Sequence, residues 1–171
     1  MSGLDPDDTS YDSVDVFTTG TIGRPGQRTF YLQVRIGADH VDVKCEKVQV
    51  AAMVEHLRNV LQDLPPVRDR PLPGALDMTS PPYERFVLGQ IGLGYDPRAD
   101  QVVVQLEELG ELDEEGDPID DGLDRVRVHL SREQAAAFCD HAEAVVASGR
   151  PDCRWCGRPI DPDGHPCARM N

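Results

Sequence analysis

The chain carries one short pattern twice, and this repetition constrains its fold more than any other feature. An F-x-x-G-x-I-G motif occupies residues 17–23 and again residues 86–92. In both places two further β-rich runs and a helical pattern follow. In the first unit the turns at 23–27 and 37–39 are too short for a crossover, so we expect antiparallel strands within each unit. The sequence therefore predicts an α+β fold of two pseudo-duplicated β-β-β-α units. We expect a pseudo-twofold axis between the units and an antiparallel sheet packed on two helices.

The two helices are predicted from their apolar spacing and from the signals at their ends. Pro65 and Pro66 end the first helix, because a proline disfavours helical backbone before it. In the second helix Ser131 and Gln134 form a capping box, and Gly149 marks the end. The apolar stripe of the first helix consists of Val50, Val54, Leu57, Leu61 and Leu64.

These elements divide the chain into a lead, a body and a tail. Acidic and proline-rich stretches that lack an apolar pattern favour flexible or extended segments. The predicted parts are an acidic flexible lead at 1–13, a duplicated body at 14–148 and a zinc-knuckle-like tail at 149–171. Within the body, a Pro-rich linker at 65–82 separates the halves 14–64 and 83–148.

The tail contains a compact set of metal-ligand side chains. Cys153 and Cys156 form a C-x-x-C pair, and after eight intervening residues His165 and Cys167 form an H-x-C pair. A segment this short cannot bury enough apolar surface to order itself, whereas four bonds to one ion can hold it. We expect structural zinc. A redox pair and a metal-free tail are the alternatives, whereas haem attachment would require a histidine in place of Gly157.

The other cysteines and two matched histidines need a separate interpretation. Cys45 and Cys139 stand in apolar patterns and are expected to be buried as small hydrophobic residues. His56 and His141 occupy equivalent helix positions, which suggests a paired-histidine metal site. Each lies beside an acid on the polar side of its helix, so we expect exposed or partly packed histidines instead.

The charge of the chain bears on its partners. The net charge is −14, which opposes binding to a phosphate backbone. Ten acids and no base fall between Glu107 and Asp124. We interpret this stretch as a solvated loop between two strands, with a docking surface for a basic partner as the alternative. The spacing does not fit an EF-hand. The tail is different, because it has four arginines against three aspartates.

Three segments together resemble a known family. They are GTIGRPGQRTFYLQ at 20–33, the helix start EKVQV at 46–50, and the tail pattern G-R-P-x-C-x-x-C-G-R-P-I-D-P-x-G-H-x-C at 149–167. They are similar to an uncharacterised family of actinobacterial proteins, and the resemblance covers nearly the entire chain. It implies a cytoplasmic protein with a zinc-ribbon-like end and no established activity. This chain has a longer acidic lead than the family pattern.

The sequence favours a non-enzymatic adaptor or regulator that acts through protein partners. It contains no G-x-S-x-G, H-E-x-x-H or P-loop signature, and no secretory signal or membrane span, so we expect a cytoplasmic protein. The predicted contact residues are Trp155, Arg154 and Arg158. The alternatives are a nucleic-acid binder that uses the tail, or an enzyme whose pocket lies between the halves. That pocket would lie near Arg28, Gln33 and Gln105.

Overall fold

The protein forms one mixed sheet with two helices. The computed structural model describes residues 8–68, 73–79, 82–119, 122–149, 153–158, 160, 164–167 and 169. Its strands and helices follow in chain order: β1 Asp8–Tyr11, β2 Val16–Ile22, β3 Thr29–Ile36, β4 Asp39–Cys45, α1 Lys47–Gln62, β5 Glu84–Asp96, β6 Gln101–Glu108, β7 Arg125–Ser131 and α2 Arg132–Ala147. A 3-10 turn at Pro73–Leu76 precedes β5. The α+β class is confirmed.

The strand order shows that the sheet is mixed, whereas the sequence predicts an antiparallel one. The seven strands are ordered β1-β7-β6-β5-β4-β3-β2. Strands β2 to β4 and strands β5 to β7 are antiparallel among themselves, as predicted. Strands β4 and β5 run parallel, and so do β1 and β7. The reason is the long connection between β4 and β5, which contains α1 and the linker and can return the chain to the same end of the sheet.

The same strand order excludes a twofold axis within the sheet. A twofold axis would place equivalent strands side by side at the boundary between the two sets. Instead β4, the third strand of the first set, lies beside β5, the first strand of the second. The two sets therefore succeed one another along the sheet in the same direction, and the pseudo-twofold prediction is wrong.

A short connection bends this sheet strongly. Strands β1 and β2 lie at opposite edges, yet only residues 12–15 join them. Such a connection reaches about 18 Å between its flanking Cα atoms, whereas a flat sheet of this size would be about 29 Å wide. The edges must therefore curl toward each other. The connection is held by Gln134, whose Nε2 donates to the Val14 carbonyl (2.7 Å), and by Gln101, whose Nε2 donates to the Asp12 carbonyl (3.2 Å).

Strand β1 also corrects the prediction of a flexible lead. Residues 8–11 pair with residues 125–128 of β7, and the side chain of Tyr11 packs against the core. Its Asp-Thr-Ser-Tyr sequence has no apolar alternation, so the pattern gave no sign of a strand. Residues 1–7 of the predicted lead lie outside the described residues.

The hydrophobic core lies between the sheet and the helices. Strands β6 and β7 bury every second residue, as expected for a sheet with one covered face. Phe17 of β2 and Phe138 of α2 meet with ring centroids 4.7 Å apart, so α2 packs against the edge strand β2. Arg58 of α1 forms ion pairs with Asp140 and Glu143 of α2, which join the two helices.

The other face of β2 to β4 is covered by residues 73–79. Leu76 is buried, and its carbonyl accepts a hydrogen bond from the Thr18 hydroxyl. The Gln33 amide pairs with the backbone of Thr79 in both directions, at 3.0 and 2.9 Å. Because this face is covered, Thr18 and Gln33 are fully buried although both are polar.

The helix predictions agree closely with the structure. Helix α1 ends at Gln62, before the paired prolines, and Ser131 caps α2 by accepting a hydrogen bond from the Gln134 N–H (3.1 Å). The acidic stretch is a loop between β6 and β7, as predicted, and residues 109–119 are largely exposed. No helix within the described residues is long and apolar enough to cross a membrane.

Strand β5 contains two glycines whose replacement should have opposite consequences. Gly89 lies at an irregularity in the pairing with β6, and an added Cβ would lie 2.8 Å from the Leu109 Cα. An added Cβ at Gly94 would meet no atom within 4 Å.

We therefore expect Gly89→Ala to lower the free energy of unfolding by about 1–3 kcal/mol, because the backbone must shift to make room. The control Gly94→Ala should change it by less than about 1 kcal/mol, toward greater stability. Urea denaturation measures both values. Equal stabilities for the two variants would show that the Leu109 backbone does not prevent a side chain at position 89.

Candidate metal centre

The first half of the tail is a tight turn that begins and ends in backbone hydrogen bonds. The Cys153 N–H donates to the Arg158 carbonyl, and the Gly157 N–H donates to the Cys153 carbonyl, both at 2.8 Å. Gly157 has φ +72°, a left-handed conformation that glycine adopts without strain. The Trp155 N–H points at the Cys153 Sγ (3.4 Å). This turn holds two thiols on the same side of the segment.

The second half of the tail brings a histidine and a third thiol to the same place. The ligand atoms of Cys153, Cys156, His165 and Cys167 all lie within 4.8 Å of one another. The Cys153 and Cys167 Sγ atoms are 3.9 Å apart, and the Cys156 Sγ lies 3.3 Å from the His165 Nε2. The four predicted ligands therefore converge. They form a group that could hold a metal ion.

The separation of the Cys153 and Cys167 thiols fits a tetrahedral ion. With zinc–sulfur bonds of about 2.3 Å, two thiolates of a tetrahedral site lie about 3.8 Å apart. The separation of Cys153 and Cys167 agrees with this value, and three sulfurs with one imidazole nitrogen match a common structural zinc set. The donor atoms thus suit zinc, which would tie the two halves of the tail together.

Hydrogen bonds around the thiols already favour one thiolate. The backbone N–H groups of Cys156 and Trp155 lower the pKa of the Cys153 thiol. The pKa of Cys167 is raised: the backbone N–H of Arg169 works against the rise, but desolvation and the neighbouring thiols of Cys156 and Cys153 outweigh it. A bound cation would lower the pKa of each thiol that it contacts, because it stabilises the thiolate form.

The predicted contact residues lie on the outside of this centre. Trp155 is 50 % exposed, and the Arg154 guanidinium lies over its ring at 5.0 Å from the centroid. Arg158 is also exposed. Sequence reasoning missed Arg169, whose guanidinium donates to the Trp155 carbonyl (3.3 Å) and so connects the end of the tail to the turn. Its distance along the chain from Trp155 gave no local signal.

The other histidines and cysteines are engaged elsewhere. The His56 Nδ1 lies 2.8 Å from the Ala52 carbonyl oxygen, and the His141 Nε2 lies 2.9 Å from the Thr19 carbonyl oxygen, so each ring has its own backbone partner. Cys139 is fully buried. Cys45 is buried too, and desolvation, reinforced by the Glu46 carboxylate, raises the pKa of its thiol to about 12. Both cysteines are buried small residues, as predicted.

The residues of the alternative enzyme pocket do not converge. Gln33 is buried under the linker, where its amide also donates to Asp42 (2.8 Å). Gln105 of β6 accepts two hydrogen bonds from the Arg127 guanidinium. Arg28 lies near the end of α2, where its guanidinium donates to the Ser148 hydroxyl (3.0 Å). Gln33 and Gln105 thus have structural partners, and only Arg28 lines a cleft.

Asp42 is a second group that the sequence did not single out. It is a fully buried carboxylate, and besides Gln33 it accepts a hydrogen bond from the Tyr83 N–H (2.6 Å) and faces the His40 Nδ1 (2.8 Å). These partners fasten the end of the linker to β4. The residues near Asp42 in the sequence do not indicate its burial, because the segment that covers it is remote along the chain.

The fold and the cluster together define an α+β protein with a Cys3His group suited to a metal ion. The chain belongs to the family described as protein of unknown function (DUF3090), whose match covers residues 9–167. The match spans both the sheet and the metal ligands. No curated protein and no solved structure matches the chain.

The ligand geometry predicts the metal content. Freshly reduced protein should carry about one zinc ion per chain, and Cys153→Ser or Cys167→Ser should lose it, because a three-ligand site binds zinc far more weakly. Elemental analysis after gel filtration measures the content, and Cys45→Ala is the control that removes a thiol outside the cluster. Wild-type protein that remains metal-free after reduction and incubation with zinc would contradict the assignment.

Proposed function

We propose that this protein is a non-enzymatic adaptor or regulator, in which a structural zinc ion orders a tail that binds a protein partner. The observation that carries the proposal is the convergence of Cys153, Cys156, His165 and Cys167 in a segment that also exposes a tryptophan. Four protein ligands leave no open position for water, so the ion would act as a scaffold. Three ligand thiols must stay reduced, which supports a cytoplasmic location.

The composition of the exposed tail favours a protein partner. Trp155 and its stacked Arg154 are both of residue types that are enriched in protein interaction hot spots, and Arg158 lies nearby in the same turn. The net charge of −14 disfavours a polyanionic partner for the protein as a whole. Binding of a nucleic acid by the tail alone is the second candidate, which its arginines support.

We also propose that the body is an internal duplication that folds without the tail. The support is that strands β2 to β4 and α1, and then strands β5 to β7 and α2, repeat the same order in adjoining sections of one sheet. Within the described residues, every hydrogen bond of residues 153–169 has its partner in the same segment. Both features favour a boundary near Gly149.

This boundary predicts the behaviour of a shortened chain. A protein that ends at Gly149 should still unfold in one cooperative transition, because α2 and the whole sheet are retained. Circular dichroism during heating measures the transition, with the full chain as reference. Loss of the cooperative transition would show that the tail is integral to the core.

Replacement of the tryptophan separates the adaptor from its alternatives. Trp155→Ala should reduce capture of a partner by at least about tenfold, a value typical of hot spots. Zinc content and melting temperature should stay unchanged, since the indole is not a ligand. Tyr83→Ala is the matched control, because Tyr83 is 82 % exposed and lies on the body.

The same experiment contains the outcome that would overturn the proposal. Capture that survives Trp155→Ala but disappears after nuclease treatment, or in about 0.3 M salt, would indicate a nucleic-acid partner held by the arginines. Capture that is lost equally in Tyr83→Ala would indicate that the body makes the contact.

A further inference from the structure

Both lysines of the chain line the same cleft. The protein has fifteen arginines but only two lysines, Lys44 and Lys47. Together with Arg28 they line a cleft of about 290 Å³ between the start of β3, the end of β4 and the end of α2. The cleft is thus positively charged, although the net charge of the protein is −14. It therefore contrasts with the surface as a whole.

The structure holds the Arg28 side chain in place at this cleft. Its guanidinium donates to the Ser148 hydroxyl (3.0 Å) and to the Val145 carbonyl (3.4 Å), and it lies over the Phe30 ring, 5.2 Å from the centroid. A neutral hydroxyl, a carbonyl and a ring orient a cation but do not neutralise it. The positive charge of Arg28 thus remains available to a ligand.

The cations converge on one point. A Cβ added to Gly149 would lie 3.2 Å from the Arg28 Nη2 and 3.5 Å from the Lys47 Nζ. Two cationic groups thus approach the same small space, which the absence of a side chain at Gly149 leaves open. Like charges this close repel each other, and an anion between them would turn repulsion into attraction.

Among the described residues the positive charge of the cleft is poorly balanced. None of the ion pairs found there involves Arg28, Lys44 or Lys47. Of the residues that the structure describes, Glu46 is the one carboxylate that lines the cleft. Lys47 is also the first residue of α1, whose first turn contains no acid. A lysine at this end opposes the helix dipole, which favours negative charge there.

We propose that this cleft binds a small ligand through its phosphate group. A phosphate carries close to two negative charges, as three cations around one carboxylate require, and a bare ion would fill only a small part of 290 Å³. The remaining space suits a small organic part, so the expected ligand is a phosphomonoester. A long polyanion is disfavoured, because the net charge of the protein is −14. This inference is independent of the metal centre.

The cysteine that lines this cleft does not act as a nucleophile, so the cleft is a binding site for the ligand. Cys45 lines it, but desolvation, reinforced by Glu46, raises the pKa of this thiol to about 12. A thiol with this pKa is neutral at pH 7, so it neither attacks a ligand nor competes with phosphate for the cations.

The scarcity of lysine makes binding directly observable. Reductive methylation with ¹³C-formaldehyde keeps the positive charge and labels only Lys44, Lys47 and the N-terminus. At constant ionic strength, inorganic phosphate should shift both lysine signals along one saturating curve, and acetate should not. A signal that stays unchanged, or that moves linearly to about 50 mM phosphate, would overturn the proposal. Glycerol phosphate should bind more tightly than phosphate, and equal affinities would identify inorganic phosphate as the ligand.

Two substitutions test the site from opposite directions. Gly149→Asp places a carboxylate between Arg28 and Lys47, so it should abolish the rise in melting temperature that phosphate binding causes. Lys47→Gln should weaken phosphate binding about tenfold or more, as expected for the loss of a charge-assisted hydrogen bond. The control Arg127→Gln removes a cation outside the cleft. Unchanged phosphate binding in both Gly149→Asp and Lys47→Gln would refute the site.

Discussion

The connection of four residues between β1 and β2 is the constraint on which the rest of the fold depends. Because it joins opposite edges of a seven-stranded sheet, the sheet cannot lie flat. The concave face that results is filled by the two helices, and Phe138 of α2 therefore reaches Phe17 on the far edge strand. Gln134, in the first turn of the same helix, binds the connection itself through the Val14 carbonyl. Curvature and helix position thus support each other.

This curvature also brings the end of α2 to the cationic cleft. Arg28 lies before β3, and Ser148 lies after α2, so the two are 120 residues apart in the chain. They meet only because α2 crosses to the edge formed by β2 and β3. Gly149, where the tail begins, consequently lies at the same cleft as Lys47. A flat sheet would move Ser148 and Gly149 away from Arg28, whereas the pairing of Phe30 with Cys45 would still keep Arg28 near Lys44.

The features that the sequence predicts are those encoded within a few neighbouring residues. Apolar periodicity reports which face of an element is buried, and this is why both helices and the six longer strands were predictable. The metal ligands are also local, since Cys153 to Cys167 span one short segment. Periodicity does not report which strand lies alongside, so the parallel pairing of β4 with β5 was not predictable. The cleft combines residues near 28, 44–47 and 149, and no local pattern links them.

Lysine and arginine have different roles in this protein. Arginine, with its planar fork of donors, forms the paired and stacked contacts: Arg58 with two carboxylates, Arg85 with Asp124, and Arg154 on an indole. The ammonium of lysine is a compact charge with rotatable donors, and it can follow a ligand that is not part of the protein. A chain that uses arginine for its internal ion pairs, and has its two lysines in one cleft, separates structural charge from charge available for binding.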